Sequence, residues 1–211
     1  ALIVSSGIKK GIEKVTRFFM PILFLILLFL AIWATSLTGA LEGYKTFLFK
    51  FDFEELRNPQ TIRNAFTQAF FSLSLGIGVM VTYASYLNKK SNLPKLSIGV
   101  ASLDTLVGLM AGLITFPIVL TFGLSDAISE STVGALFISI PTGLGSYGTI
   151  GRIVAVAFFL LAYIAAITSS VSLLEVPVSS LIDKFGFKRE KSVWLITLFL
   201  FLAGIPSALN L

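Results

Sequence analysis

Oxygen-bearing side chains inside long apolar stretches are the residues of this sequence most able to do chemistry. Asp104 stands within the apolar run 96–122, and a Thr-Ser-Ser triplet beginning at Thr168 stands within the run 150–181. Polar groups are costly in an apolar environment and are retained there mainly for function. Because hydroxyl and carboxylate oxygens are ligands of hard cations, these positions predict a cation-binding site.

Enzymatic and nucleic-acid chemistry find no support in the composition. The chain has no Cys and no His, which excludes disulfides and metal sites built from thiolates or imidazoles. It also shows no nucleophile–base set. The net charge of +5 comes from short basic clusters beside apolar runs, a pattern that membrane topology alone produces. We therefore expect neither an enzyme nor a nucleic-acid-binding protein.

Small and polar residues share one face of the run 96–122. Asp104, Gly108 and Gly112 recur at helical spacing. Close packing between helices would explain the glycines by themselves. The carboxylate changes this interpretation, because it must find a cation, a proton or a hydrogen-bond donor inside the membrane.

The run 150–181 repeats the pattern, with Ala165, Thr168, Ser172 and Glu175 on one helix face. Hydroxyl groups in membrane helices often bond back to the preceding turn, which is the simplest interpretation of each one. A hydroxyl cluster close to a carboxylate favours cation binding instead. For Glu175 itself, structural pairing and a functional role stay open.

The run 65–87 is interrupted near its centre by the sequence FFSLSLGIG. Ser72, Ser74, Gly76 and Gly78 stand at mid-depth, and each glycine costs a helix roughly 1 kcal/mol relative to Ala. An unwound segment frees carbonyl and N–H groups, which a membrane protein tolerates where they line a cavity. The positive end of a following half-helix would attract a carboxylate. A kinked but continuous helix is the alternative.

Membrane-spanning helices are needed to hold these residues. The composition is 55% hydrophobic and 13% charged, and a bilayer core about 30 Å thick needs roughly 20 apolar residues per helix. We therefore predict an all-α, polytopic transmembrane helix bundle. Its five predicted spans are 18–36, 65–87, 96–122, 150–181 and 193–208.

Charge predicts the orientation of these spans. Three loops, each two spans from the next, hold 11 of the 16 basic residues. The positive-inside rule makes their side cytoplasmic. We therefore expect a multi-pass protein of the cell (plasma) membrane, with the N-terminal end of this chain on the cytoplasmic side. On the outer side, residues 40–62 are expected to lie against the protein or the interface. The connection 123–149 is expected to form a re-entrant or capping helical hairpin, because its run STVGALFISI is too short to span.

Four stretches resemble a known family of membrane transporters. FFSLSLGIGVMVTYASY, at 70–86, resembles the sixth transmembrane helix of the neurotransmitter:sodium symporter family, which includes the bacterial leucine transporter. SSGIKKGIEK is similar to the loop before the fifth helix, DTLVGLMAG to part of the seventh and AAITSSVSLLE to part of the eighth. The resemblance implies a partial leucine-transporter-type inverted-repeat fold, a fragment from the end of helix four to helix nine. The remaining helices of the full-length transporter would then be partners of this chain, together with the lipid bilayer.

The resemblance implies a substrate site around the interrupted helix. Phe71 corresponds to an aromatic lid over the substrate, and Ile77 and Leu173 correspond to walls of its side-chain pocket. Ser74 and Gly76 fall in the unwound substrate-binding segment. The expected substrate is a hydrophobic or neutral amino acid.

The resemblance also implies two sodium sites. Ser72 and Asp104 correspond to ligands of the first site, and Ala165, Thr168 and Ser169 correspond to ligands of the second. Ser72 and Ser169 also border the expected substrate.

Charge compensation is where this sequence departs from the family. Asp104 stands where the family usually has Asn, and Gly108 stands where the family has a chloride-binding Ser or a substituting carboxylate. Since Gly108 has no side chain, we expect Asp104 to compensate charge as well as to bind sodium. Sodium ions are therefore the expected cofactors, and chloride is not expected to be required.

The function that these implications favour is a sodium-coupled symporter that works by alternating access. An ion channel is one alternative, although a channel would favour repeated polar rings along a wetted pore rather than polarity at one depth. A non-transporting scaffold or partner subunit with a degenerate site is the other alternative.

Overall fold

The computed structural model describes residues 1–124, 137 and 140–209, and all regular structure in them is helical, which confirms the all-α prediction. A π-helical turn, Ile8–Ile12, leads into the second helix, and a 3-10 turn, Glu55–Arg57, precedes the fourth. The α-helices among the described residues are α1 Leu2–Ser5, α2 Glu13–Ala34, α3 Ala40–Phe49, α4 Pro59–Ser72, α5 Val79–Ser85, α6 Leu93–Phe122, α7 Ile140–Gly145, α8 Gly148–Phe185 and α9 Arg189–Ala208.

Within the described part of the chain, four helical segments are long and apolar enough to cross a membrane: Ile8–Ala34, Leu93–Phe122, Gly148–Phe185 and Arg189–Ala208. Only 11–17% of the most apolar window of each is buried inside the protein, so most of these side chains face outward. Such a surface needs an apolar environment, as expected of a multi-pass membrane protein. The remaining predicted span, 65–87, is the one that the structure divides into two helices.

The predicted outer hairpin at 123–149 falls largely outside the described residues, and α7 is the helix described there. By contrast, α6 begins and ends at signals that the sequence carries. The Asn92 side chain accepts a hydrogen bond from the Lys95 N–H at 3.1 Å and caps the helix start. Gly123 follows the helix end in the left-handed region, with a φ of 64°.

The break predicted within 65–87 is present, because residues 73–78 separate α4 from α5. The end of α4 is a Schellman motif. The Ser74 N–H donates to the Phe71 carbonyl at 3.0 Å, and the Leu75 N–H donates to the Phe70 carbonyl at 2.8 Å. These two bonds satisfy carbonyls that the helix end would otherwise leave without partners.

Positive φ angles recur through the break. Ser74 occupies the left-handed position of the Schellman motif with a φ of 54°, a position that Gly usually fills. Gly76 and Gly78 both have a φ of 84°, which favours Gly strongly. A Cβ atom on Gly78 would also lie 3.1 Å from a methyl carbon of Val176. The chain therefore turns out of one helix and into the next at positions that disfavour continued helix.

The chain forms two compact units. The first unit comprises Ala1–Pro21, Phe70–Ser91 and the chain from Ile164 onward, and the second comprises Ile22–Ala69 and Asn92–Tyr163. The second unit has an apolar core that its helices build at helical spacing. The buried residues of this core are Leu27, Leu30, Ala34, Leu37, Ala40, Ile114, Ile118, Ile140, Leu144 and Val154.

Within the second unit, α3 packs against α6 at very short range. The Gly39 N–H donates to the Thr121 hydroxyl at 3.0 Å. A Cβ atom on Gly43 would lie 2.6 Å from the backbone nitrogen of Pro117, so this contact requires Gly. We expect residues 40–62 to lie against the protein or the interface. Their first part is the helix α3, which packs closely on α6 at Gly39 and Gly43.

The first unit has a smaller apolar cluster, formed by Val4, Val178 and Val193. These residues come from α1, α8 and α9. The break and α5 belong to the same unit, so it is the unit that holds most of the predicted site residues.

Candidate functional site

The first unit contains an open cleft of about 940 Å³. It is lined by the start of α2, the end of α4, the break, α5 and the middle of α8. Seven of the predicted site residues line it: Phe71, Ser72, Ser74, Ile77, Thr168, Ser169 and Leu173. The structure thus brings the broken helix and the hydroxyl cluster of α8 to one cavity.

One wall of the cleft is apolar. The side chains of Phe71, Ile77 and Leu173 are 77%, 50% and 51% exposed, and Met20 and Met80 line the same cavity. An apolar group that covers such surface gains about 25 cal/mol for each Å² removed from water. The wall therefore suits an uncharged, hydrophobic ligand.

The hydroxyl cluster on α8 presents oxygen atoms to the cleft. The Thr168 hydroxyl donates to the Ala165 carbonyl at 2.9 Å, which directs its proton along the helix and leaves its lone pairs available. The Thr168 hydroxyl oxygen and the Ala165 carbonyl oxygen are therefore adjacent on one turn, and Ser169, the next residue, also lines the cleft. Oxygen atoms arranged in this way suit a hard cation, although the same bond also occurs in ordinary helices.

Three predicted site residues lie elsewhere. Gly76 is in the break and Ala165 is in α8, but neither lines the cleft; the Ala165 carbonyl accepts the hydrogen bond from the Thr168 hydroxyl. Asp104 is a partly buried residue of α6 in the second unit. At Gly108, one turn further along α6, an added Cβ would meet no atom within 4 Å. The roles of Asp104 in sodium binding and charge compensation stay predictions.

The half-helix that follows the break is shorter than the sequence suggests. α5 has seven residues and ends at Ser85, two residues before the predicted boundary. The expected attraction of a carboxylate to its positive end stays a prediction, because it depends on the unsatisfied N–H groups of the first turn.

Glu175, whose role the sequence leaves open, is part of a buried ion pair. Its carboxylate is fully buried, accepts a hydrogen bond from the Tyr86 hydroxyl at 2.7 Å and pairs with the guanidinium of Arg189. The Arg189 Nε–H also donates to the Val4 carbonyl at 2.8 Å. The ion pair joins α1, α8 and α9, and Tyr86 follows α5, so structural pairing explains this carboxylate.

Sequence reasoning missed Tyr83 as a residue of the cleft. Its hydroxyl donates to the Ser172 hydroxyl at 2.9 Å, and both residues line the cavity. The available signal was a tyrosine in an apolar half-helix, since a buried tyrosine hydroxyl usually finds a partner.

Glu13 and Arg17 also line the cleft and form an exposed i,i+4 pair with a 2.6 Å contact, which contributes little to stability.

The chain is similar to known proteins along nearly its whole length. Residues 1–210 match the sodium:neurotransmitter symporter family. A sodium-dependent transporter of Bacillus subtilis is 39% identical over 213 residues, which cover 99% of this chain and 45% of that protein. A protein of Drosophila ananassae described as sodium-dependent nutrient amino acid transporter 1 is 30% identical over 198 residues, covering 90% of this chain and 30% of its own length.

Among solved structures, the crystal structure of MhsT in complex with L-phenylalanine is similar to this fold. The TM-score is 0.85 at 42% identity, and the match covers 99% of this chain and 46% of MhsT. The likeness confirms the predicted leucine-transporter-type fold. The chain spans just under half the length of the Bacillus subtilis transporter and of MhsT.

Proposed function

Because this chain belongs to the sodium:neurotransmitter symporter family, we propose that it forms the middle part of a sodium-coupled amino-acid symporter working by alternating access. The observation that carries the proposal is the single cleft in which a broken helix meets the hydroxyl cluster of α8. Broken helices in this class of transporter bind substrate and ions at the point of interruption.

The proposed substrate is a hydrophobic or neutral amino acid. Its side chain contacts Phe71, Ile77 and Leu173, and its charged groups meet the polar atoms freed at the break. A charged side chain in this apolar wall would be buried without a partner, which is costly. The complex of MhsT with L-phenylalanine and the amino-acid transport named for the Drosophila relative support this substrate class.

The second sodium ion is proposed to bind the Ala165 carbonyl and the hydroxyls of Thr168 and Ser169. The chain is proposed to begin on the cytoplasmic side of a cell membrane, which the basic loops favour. A channel is disfavoured because the hydroxyl groups of the break and of the middle of α8 line one cleft and do not form repeated rings along a pore. A scaffold with a degenerate site is disfavoured because the hydroxyl ligands of the second site are all retained.

The test is sodium-dependent binding of radiolabelled L-phenylalanine and L-leucine to the full-length protein in detergent. Thr168→Ala combined with Ser169→Ala should raise the sodium concentration for half-maximal binding by at least about tenfold, since hydrogen-bond-like contacts to a charge contribute roughly 1.5–3 kcal/mol. Ser170→Ala is the matched control, because its hydroxyl donates to the Ala166 carbonyl and does not line the cleft. Equal sodium dependence in the wild type, the double variant and the control would refute the assignment.

A further inference from the structure

We propose that Tyr83 and Ser172 are positioning residues that hold the cation-binding turn of α8 in register with α5. The inference rests on the proposed sodium site at Ala165 and Thr168. It adds a route by which the half-helix after the break and the occupancy of that site influence each other.

The first step is that α5 depends on α8 for its position. A seven-residue helix is far below the roughly 12–15 residues at which isolated helices become marginally stable, so tertiary contacts must hold it. Its segment reaches α8 at three places: Gly78 against Val176, Tyr83 at Ser172 and Tyr86 at Glu175. Residues 172, 175 and 176 lie on one face of α8, and Ala165 and Thr168 continue that face.

The second step is the direction of the hydrogen bonds. Ser172 donates to the Thr168 carbonyl at 3.1 Å, because a carbonyl oxygen can only accept. The single proton of Ser172 is thereby used, so Tyr83 must be the donor in its 2.9 Å contact with Ser172. The Thr168 hydroxyl in turn must donate to the Ala165 carbonyl at 2.9 Å.

The third step is the consequence for a cation. The protons of Tyr83, Ser172 and Thr168 are all directed at protein oxygens, so the remaining lone pairs of the Thr168 hydroxyl are free to face an ion. If α5 moves away, the Ser172 oxygen loses the hydrogen bond that Tyr83 donates, and the turn that carries Thr168 loses this contact with α5. Sodium affinity and the docked position of α5 are then linked, and the linkage must be reciprocal.

The experiment measures binding of radioactive sodium to the full-length protein without amino acid, and binding of L-phenylalanine at saturating sodium. Tyr83→Phe and Ser172→Ala should each weaken sodium binding by about three- to tenfold, the range expected for one neutral hydrogen bond. The double variant should bind sodium as tightly as the single variant that has the lower sodium affinity, because both substitutions remove the same hydrogen bond. Ser172→Thr keeps the hydroxyl and should bind sodium as the wild type does.

Tyr86→Phe separates positioning from general loosening of α5. It removes the other phenol contact between this segment and α8 but does not touch the hydrogen bonds that lead to Thr168. An equal loss of sodium binding in Tyr86→Phe, or a loss confined to phenylalanine affinity in Tyr83→Phe, would overturn the proposal while the symporter function stands. Absence of sodium binding in the wild type would instead refute the proposed function.

Discussion

Glu175 offers the most direct test of the packing of the first unit. Replacing it with Ala removes a fully buried carboxylate, the acceptor for Tyr86 and the counter-charge of Arg189. Breaking a buried ion pair by removing one partner typically costs about 3–5 kcal/mol, because the other charge stays buried without compensation. The Arg189 side chain is 23% exposed and keeps its bond to the Val4 carbonyl, so we expect the lower end, about 3 kcal/mol.

The assay is thermal unfolding of the purified full-length protein in detergent. Glu175→Ala should lower the midpoint by several degrees, since about 1 kcal/mol corresponds to roughly 2–4 °C for a domain of this size. Glu175→Gln keeps the volume and an acceptor for Tyr86, so it should fall between Ala and the wild type. Glu190→Gln is the matched control, because Glu190 is an exposed neighbour of Arg189 in sequence.

A double variant distinguishes a lost charge pair from a lost side chain. Glu175→Leu with Arg189→Met removes both charges, so it should be more stable than Glu175→Leu alone. The ion-pair explanation is wrong if Glu175→Gln matches Glu190→Gln, or if removal of Arg189 fails to improve the stability of Glu175→Leu.

Two further predictions concern single residues. Sodium-dependent binding by the wild type should persist when gluconate replaces chloride, because we expect the Asp104 carboxylate to supply the compensating charge. An absolute chloride requirement in the wild type would contradict this prediction. Ser74→Gly should raise the thermal midpoint by the equivalent of about 1 kcal/mol, because Ser74 has a φ of 54°, whereas Ser74→Ala should not. Equal midpoints for the Gly and Ala variants would show that the left-handed position stores no strain.

The break was predictable because its sequence conflicts with its surroundings. Serines and glycines in the middle of an apolar run disfavour a continuous helix, and residues 73–78 are indeed non-helical. What the sequence could not indicate is that Ser74, rather than a glycine, takes the left-handed position of the Schellman motif. Gly76 stands only two residues later, and propensity alone would have placed the turn there.

The partner of Glu175 could not be predicted for a different reason. Arg189 belongs to a basic loop that the positive-inside rule already explains, so its charge carried no further signal. Tyr86 is 89 residues from Glu175 in sequence, and only tertiary structure brings them together. The docking of Gly43 on α6 was missed similarly, because a glycine between Glu42 and Tyr44 resembles a loop until its neighbour is known.

The face of α8 that contains residues 165, 168, 172 and 175 combines the two kinds of contact on which the site depends. Its first turns present oxygen atoms to the cleft, and its later turns hold α5 and the buried ion pair. Hydroxyls on other faces, such as those of Ser170 and Ser180, only bond back to carbonyls of their own helix. Because α8 is continuous through this region, a displacement at Ser172 is carried to Thr168 by a helix rather than absorbed in a loop. The polar residues that the sequence presents as one periodic stripe therefore divide into those that line the cleft and those that pair with the rest of the protein, and α8 joins them.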